Sequence, residues 1–156
     1  MKRSIVEFRL GEDGDWVAVL ACGHARHVRH EPPLSDRTWV LEEGSRSAML
    51  GETLDCGPCD RAEMPGGLAL VKTTPEWDEL SMPSGLRRAH RVPKGRWGRL
   101  VVRNGILRFG ARTEPAIDVI VAAGESQAIP PDVEHAVDAT EPVRFVLEFW
   151  EIPPID

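Results

Sequence analysis

The amino-acid sequence predicts a mainly β protein in two parts, a small metal-stabilised unit over residues 1–64 and a β-sandwich or barrel over residues 68–156. Three observations carry that prediction. All three cysteines stand in the first part, in a pattern that runs from Cys22-Gly23-His24 to Cys56-Gly57-Pro58-Cys59. The second part is a series of short apolar runs punctuated by glycine and proline. Between them, Glu63-Met64-Pro65-Gly66-Gly67 ends one unit and releases the chain.

In the first part, Val6, Phe8 and Leu10 alternate with Glu7 and Arg9, the period of a strand with one face on a core. Gly11 to Asp15 is turn chemistry, and Trp16 to Ala21 is a second strand that delivers Cys22 and His24 at its end. Thr38 to Leu50 holds one short helix, weakened by Gly44 and Ser45. So small a unit buries too little apolar surface to be stable alone, and a metal supplies the difference.

Two short knuckles with two ligands each close a structural zinc site, and Cys22, His24, Cys56 and Cys59 have that arrangement. A redox dithiol at Cys56 and Cys59 leaves Cys22 and His24 unexplained and lacks the strand-then-helix setting of that motif. His27 and His30 stand close by in the sequence as alternatives to His24 for the fourth ligand. The basic HARHVRH segment containing them is a weak nucleic-acid contact, because Glu31, Asp36 and nearby acids offset it.

In the second part, Asn104-Gly105 predicts a type I′ hairpin. Arg103 then pairs with Ile106, Val102 with Leu107 and Leu100 with Phe109. This puts Leu100, Val102, Leu107 and Phe109 on the core face and Arg99, Arg103 and Arg108 outside. Ile117 to Ala123, Ala136 to Asp138 and Val143 to Ile152 are further strands, and His135 points inward with Val137.

The composition narrows the function. Hydrophobic residues make up 42% of the 156 and charged residues 28%, as in a soluble globular protein. No apolar run approaches the ~20 residues that cross a bilayer, and Glu7 interrupts the N-terminal apolar stretch, so neither membrane nor signal peptide is expected. An odd number of cysteines fits the reducing cytoplasm. A formal charge of −6 argues against nucleic acid as a partner. The charge is segregated: nine Lys/Arg and no acid lie between Leu86 and Arg112, then ten acids and one arginine between Thr113 and Asp156. Such blocks predict complementary pairing across strands, with an anion-binding surface as the alternative. Val101 and Ile106, exposed between arginines, would suit a homodimer.

The stretches TTPEWDE (Thr73 to Glu79), P-x-G-L-x-x-A-H (Pro83 to His90), W-G-x-L-V-V-x-x-G (Trp97 to Gly105), IPPDVEHAV (Ile129 to Val137) and VRFVLEFWE (Val143 to Glu151) resemble, in that order, the small cupin-like domain associated with tellurite resistance in TehB-type proteins. That resemblance implies a double-stranded β-helix barrel over this half. DWVAVLACGHARHVRHEPP, RTWVL and LGETLDCGPCD resemble a small bacterial domain of uncharacterised function, which implies a zinc-ribbon-like unit. No methyltransferase module accompanies these motifs, so the resemblance carries the accessory domain and not the reaction.

Metal-dependent cupins are similar in having H-x-H, a glutamate and a later histidine inside the barrel. His90 and His135 fall near the outer positions of that set, while the glutamate position falls on Gly98 and the second histidine near Lys94. The expected function is a metal-binding protein whose barrel binds a small, anionic ligand through His90, His135, Arg88 and Trp97, in an oxyanion or stress-resistance context. One alternative is an enzyme of dioxygenase or isomerase type, with a second divalent metal at His90 and His135. Another is a zinc-dependent adaptor or regulator. No nucleophile elbow, P-loop or dinucleotide fingerprint points to a different chemistry.

Overall fold

A computed structural model of the chain describes residues 1–154. These divide into two compact units, Lys2–Cys56 and, with Met1, the residues from Gly57 on. Asp156, the last of the ten acids, lies outside the described residues. Among the described residues no helix is long and apolar enough to cross a membrane.

The first unit is an antiparallel sheet of β1 (Lys2–Leu10), β2 (Trp16–Leu20), β3 (Ala25–Val28) and β4 (Thr53–Asp55), in the order β3-β2-β1-β4. Its first turn forms where the Gly11 to Asp15 chemistry predicts. Gly14 adopts φ +83, and the Asp15 N–H donates to the Asp13 carboxylate at 3.1 Å. The face of β1 differs from the expectation. Ile5 enters the core with Val17, Leu20 and Val28, while Val6 and Leu10 stay exposed and Phe8 meets the edge of Trp39 at 5.8 Å. An irregularity in the β1–β2 register between Ile5 and Glu7 puts Ile5, in place of Val6, on the face that Phe8 and Leu10 share. The expected helix is split into a 3₁₀ turn at Thr38–Val40 and α1 at Glu43–Ala48. The Arg46 guanidinium of α1 covers the Trp16 ring at 3.7 Å.

In the second unit, α2 (Gly57–Asp60) is followed by two four-stranded antiparallel sheets. One is ordered β10-β7-β12-β5, from β5 (Ala69–Thr73), β7 (Arg96–Asn104), β10 (Ser126–Ile129) and β12 (Arg144–Glu151). The other is β6-β11-β8-β9, from β6 (His90–Arg91), β8 (Ile106–Ala111), β9 (Ile117–Ala122) and β11 (Glu134–Asp138). Leu100, Val102, Phe145 and Leu147 of the first sheet and Leu107, Phe109, Val121 and Val137 of the second share one buried core.

The inward face of the Asn104-Gly105 segment is as predicted, but the hairpin is not. β7 pairs with β12 and β10, and β8 with β11 and β9, so the chain changes sheets at Gly105. Gly105 has φ +73, as the turn requires, and a Cβ there would lie 2.2 Å from the Pro142 carbonyl oxygen. Two sheets facing each other place Leu100 and Val102 opposite Leu107 and Phe109 across the core, which hydrophobic alternation cannot distinguish from pairing within one sheet.

The segregated charges do pair across strands. Arg96 meets Glu151, Arg99 lies 3.8 Å from Glu148, Arg108 2.5 Å from Asp118, and Arg112 2.8 Å from Glu134. Arg96–Glu151 and Arg99–Glu148 are also register partners on β7 and β12.

Candidate functional site

The β2 strand ends at Leu20, and a tight turn through Gly23 (φ +89) then reverses the chain into β3. That turn presents Cys22 and His24. The β4 strand leads directly to Cys56, and the single turn of α2 carries Cys59 three residues on. The four ligand atoms all lie within 4.8 Å of one another, and all three cysteines are buried. Cys22 Sγ and Cys56 Sγ are 3.8 Å apart, and each is 3.4 Å from Nδ1 of His24.

These separations test the fit to a metal. A tetrahedral zinc ion with Zn–S of ~2.3 Å and Zn–N of ~2.0 Å has S···S edges of about 3.8 Å and S···N edges of about 3.5 Å. The sulfurs are far beyond the ~2.05 Å of a disulfide bond. Burial opposes a charge on His24, but the hydrogen bonds and negative charge of Cys22 and Cys56 outweigh it, and its pKa is pushed up to about 9. The donor set and the spacing fit a metal ion.

The neighbouring histidines are engaged elsewhere. His27 Nδ1 is 3.7 Å from the Asp13 carboxylate, and His30 Nδ1 accepts the Arg37 N–H at 3.0 Å. Asp13, Asp15 and His27 form a second group of metal-capable side chains, but Arg29 pairs with both aspartates on an open surface. The backbone N–H of Asp15 is the main cause holding the Asp13 carboxyl below its usual range.

In the second unit, β6 and β11 bring His90 and His135 together as register partners. Their ring centroids are 5.3 Å apart at 78°, and the His135 ring also stacks on Phe109 at 5.9 Å. His135 is 2% exposed. Its Nδ1 donates to the Val133 carbonyl oxygen at 3.0 Å, while its Nε2 and the Nδ1 of His90 are buried without a hydrogen-bond partner. Burial is the main cause lowering the His135 pKa, and the charge of His90 adds to it.

Among the described residues no carboxylate joins the pair. A Cβ on Gly98 would meet Val92 at 3.0 Å and Ile129 at 3.2 Å, so apolar side chains fill the place of the absent glutamate. Glu134 faces Arg112 and Arg91 on the outside, and Glu148 accepts from Trp150 Nε1 at 3.0 Å.

Arg88 and His135 border one depression of ≈ 630 Å³, with Arg87, Arg108 and Arg112 on its rim and Gly110 and Ala136 between them. Among the described residues the Arg88 guanidinium has no ion-pair partner. Arg108 and Arg112, by contrast, are occupied by Asp118 and Glu134. Trp97 is buried, but it alternates with Gly98 and Leu100 along β7, so its side chain leaves the sheet on the face opposite the core that holds His135. The structure therefore brings His90, His135 and Arg88 to one region of the domain and directs Trp97 elsewhere. The unpartnered ring nitrogens carried no sequence signal, because burial without a partner is a property of the folded chain.

Residues 6–63 match a family described as a protein of unknown function (DUF3565), and residues 72–147 match the TehB-like domain. No curated protein is significantly similar to the chain. Among solved structures, a protein of Escherichia coli strain K12 is similar over 60% of this chain and 91% of its own, at 21% identity and a TM-score of 0.54. At that identity the likeness is one of fold alone. TehB of Haemophilus influenzae is similar over 56% of this chain, at 25% identity and a TM-score of 0.50. The chain spans only 32% of that protein's length. The two parts of the chain thus match separate models, DUF3565 over residues 6–63 and the TehB-like domain over residues 72–147.

Proposed function

We propose that this is a metal-binding, two-domain binding protein. Cys22, His24, Cys56 and Cys59 hold one structural zinc ion, and the cupin-like TehB-like domain takes a small ligand beside His90, His135 and Arg88. One observation carries the metal reading: four ligand atoms lie mutually within 4.8 Å, and the three separations among Cys22, Cys56 and His24 match three edges of a tetrahedral site. Four protein ligands leave no open position for a substrate, so the ion stabilises the unit and does not perform chemistry.

The buried, unpartnered nitrogens of His90 and His135 support the ligand reading, as does the unpaired Arg88 on the depression that His135 borders. The likeness to TehB supports an oxyanion-stress setting. A metal-dependent oxygenase or isomerase needs a third strong ligand at the histidine pair. The side chains that would supply it are turned outward or replaced by Gly98, which favours binding over catalysis.

Elemental analysis and circular dichroism of the full chain test the metal reading. One zinc per chain is expected, and chelation or Cys56→Ser should remove it together with structure in the first unit. Wild-type protein that folds fully without metal would end this reading.

A further inference from the structure

The geometry points to a ligand class for the histidine pair: a small weak oxyacid that still carries an O–H near neutral pH, not a fully ionised oxyanion. This deepens the ligand reading above and rests on it.

The inference begins with the hydrogen bond from His135 Nδ1 to the Val133 carbonyl oxygen, 3.0 Å long. A carbonyl only accepts, so the ring proton sits on Nδ1. The ring is buried between Phe109 and His90, which favours its neutral form. Nε2 then carries a lone pair and no hydrogen, and among the described residues no group forms a hydrogen bond with it. A bare anionic oxygen brings only more lone pairs to that point. An O–H of a weak oxyacid brings the donor that Nε2 requires. The other buried nitrogen, Nδ1 of His90, borders the same ring pair and is likewise without a partner.

A divalent cation is the rival occupant, since metal-bound imidazoles commonly hold their second nitrogen on a carbonyl. Two nitrogens alone hold such an ion weakly, and here Glu134 faces Arg112 while Val92 and Ile129 close the space at Gly98.

The test uses the full zinc-loaded chain with ¹⁵N-labelled histidine, and it reads the ring nitrogens of His90 and His135 by NMR. The expected spectrum has His135 protonated at Nδ1 and bare at Nε2. Boric acid and tellurite, which carry O–H groups near neutral pH, should move the Nε2 resonance in a saturable way, and sulfate should not. His135→Phe should weaken binding of both probes about tenfold or more, the value of one lost hydrogen bond. The wild-type spectra keep the test decisive if that variant does not fold.

A proton found on Nε2 would overturn the inference. So would tighter binding of nickel or zinc at the pair than of either oxyacid. If sulfate binds as well as tellurite and depends on His135, the oxyacid class fails while the ligand reading stands. If no probe perturbs either histidine, both fail.

Discussion

Cys22 Sγ and Cys56 Sγ stand 3.8 Å apart across 34 residues of chain. That contact draws the β2–β3 turn and the end of β4 to one point. It is close to the edge of a zinc–thiolate tetrahedron, and it is too long for a covalent bond between the sulfurs. In a unit with so small a core, a metal at this point would join segments 34 residues apart in the chain.

The assignment of the fourth ligand is testable by substitution. His24→Ala should lose the zinc or hold it far more weakly, with the first unit destabilised by more than about 3 kcal/mol. His27→Ala and His30→Ala should keep one zinc per chain, because those rings face Asp13 and the Arg37 N–H. Metal content after dialysis against a chelator distinguishes the three.

The buried His135 gives the stability a pH dependence of known sign. Its folded pKa lies below the ordinary value of ~6.5 for an unfolded chain, so the unfolded state takes up the proton first. The stability is therefore complete above about pH 6.5 and is lost as the pH falls towards the folded pKa. The slope in that interval is at most about 1.4 kcal/mol per pH unit. Urea unfolding of the wild type and His135→Phe across this range should show a shallower loss in the variant.

Gly98 is packed on its core side. Gly98→Ala places a methyl group 3.0 Å from Val92 and 3.2 Å from Ile129, and should cost about 1–3 kcal/mol. Denaturant unfolding checks this, and a neutral result would mean that the core beside Gly98 is loose enough to admit a carboxylate.

Gly105 carries the change of sheet. Gly105→Ala combines φ +73 with a 2.2 Å approach to the Pro142 oxygen, so it should destabilise by at least about 2 kcal/mol. A shift in thermal midpoint measures it. Gly14→Ala, at a turn with open space around it, should cost less than Gly105→Ala.

Several features were legible before any coordinates. The ligand spacing announced the cluster, since Cys22, His24, Cys56 and Cys59 converge in a group that could hold a metal ion. The alternation of Leu100, Val102, Leu107 and Phe109 announced the core face, and all four are buried. The separated basic and acidic blocks announced cross-strand pairing, which Arg99–Glu148 and Arg112–Glu134 display.

Other features depended on the folded chain. Local alternation states which side chains are buried and not which strand lies beside which, so the partners of β7 and β8 emerged only once two sheets closed over one core. The bulge between Ile5 and Glu7 gave Ile5 the place on the face that periodicity had assigned to Val6. His27 and His30 stood as alternatives to the expected His24 as long as sequence proximity was the only guide, and the turn at Gly23 brings His24 to the three cysteines. The chemistry of His135 belongs wholly to tertiary structure, because a carbonyl at one nitrogen and no hydrogen-bond partner at the other are properties of what packs around the ring. Sequence determined the residue types and their periods, which are local. Partnership between distant groups was decided by the closing of the core, where contact replaces spacing as the controlling variable.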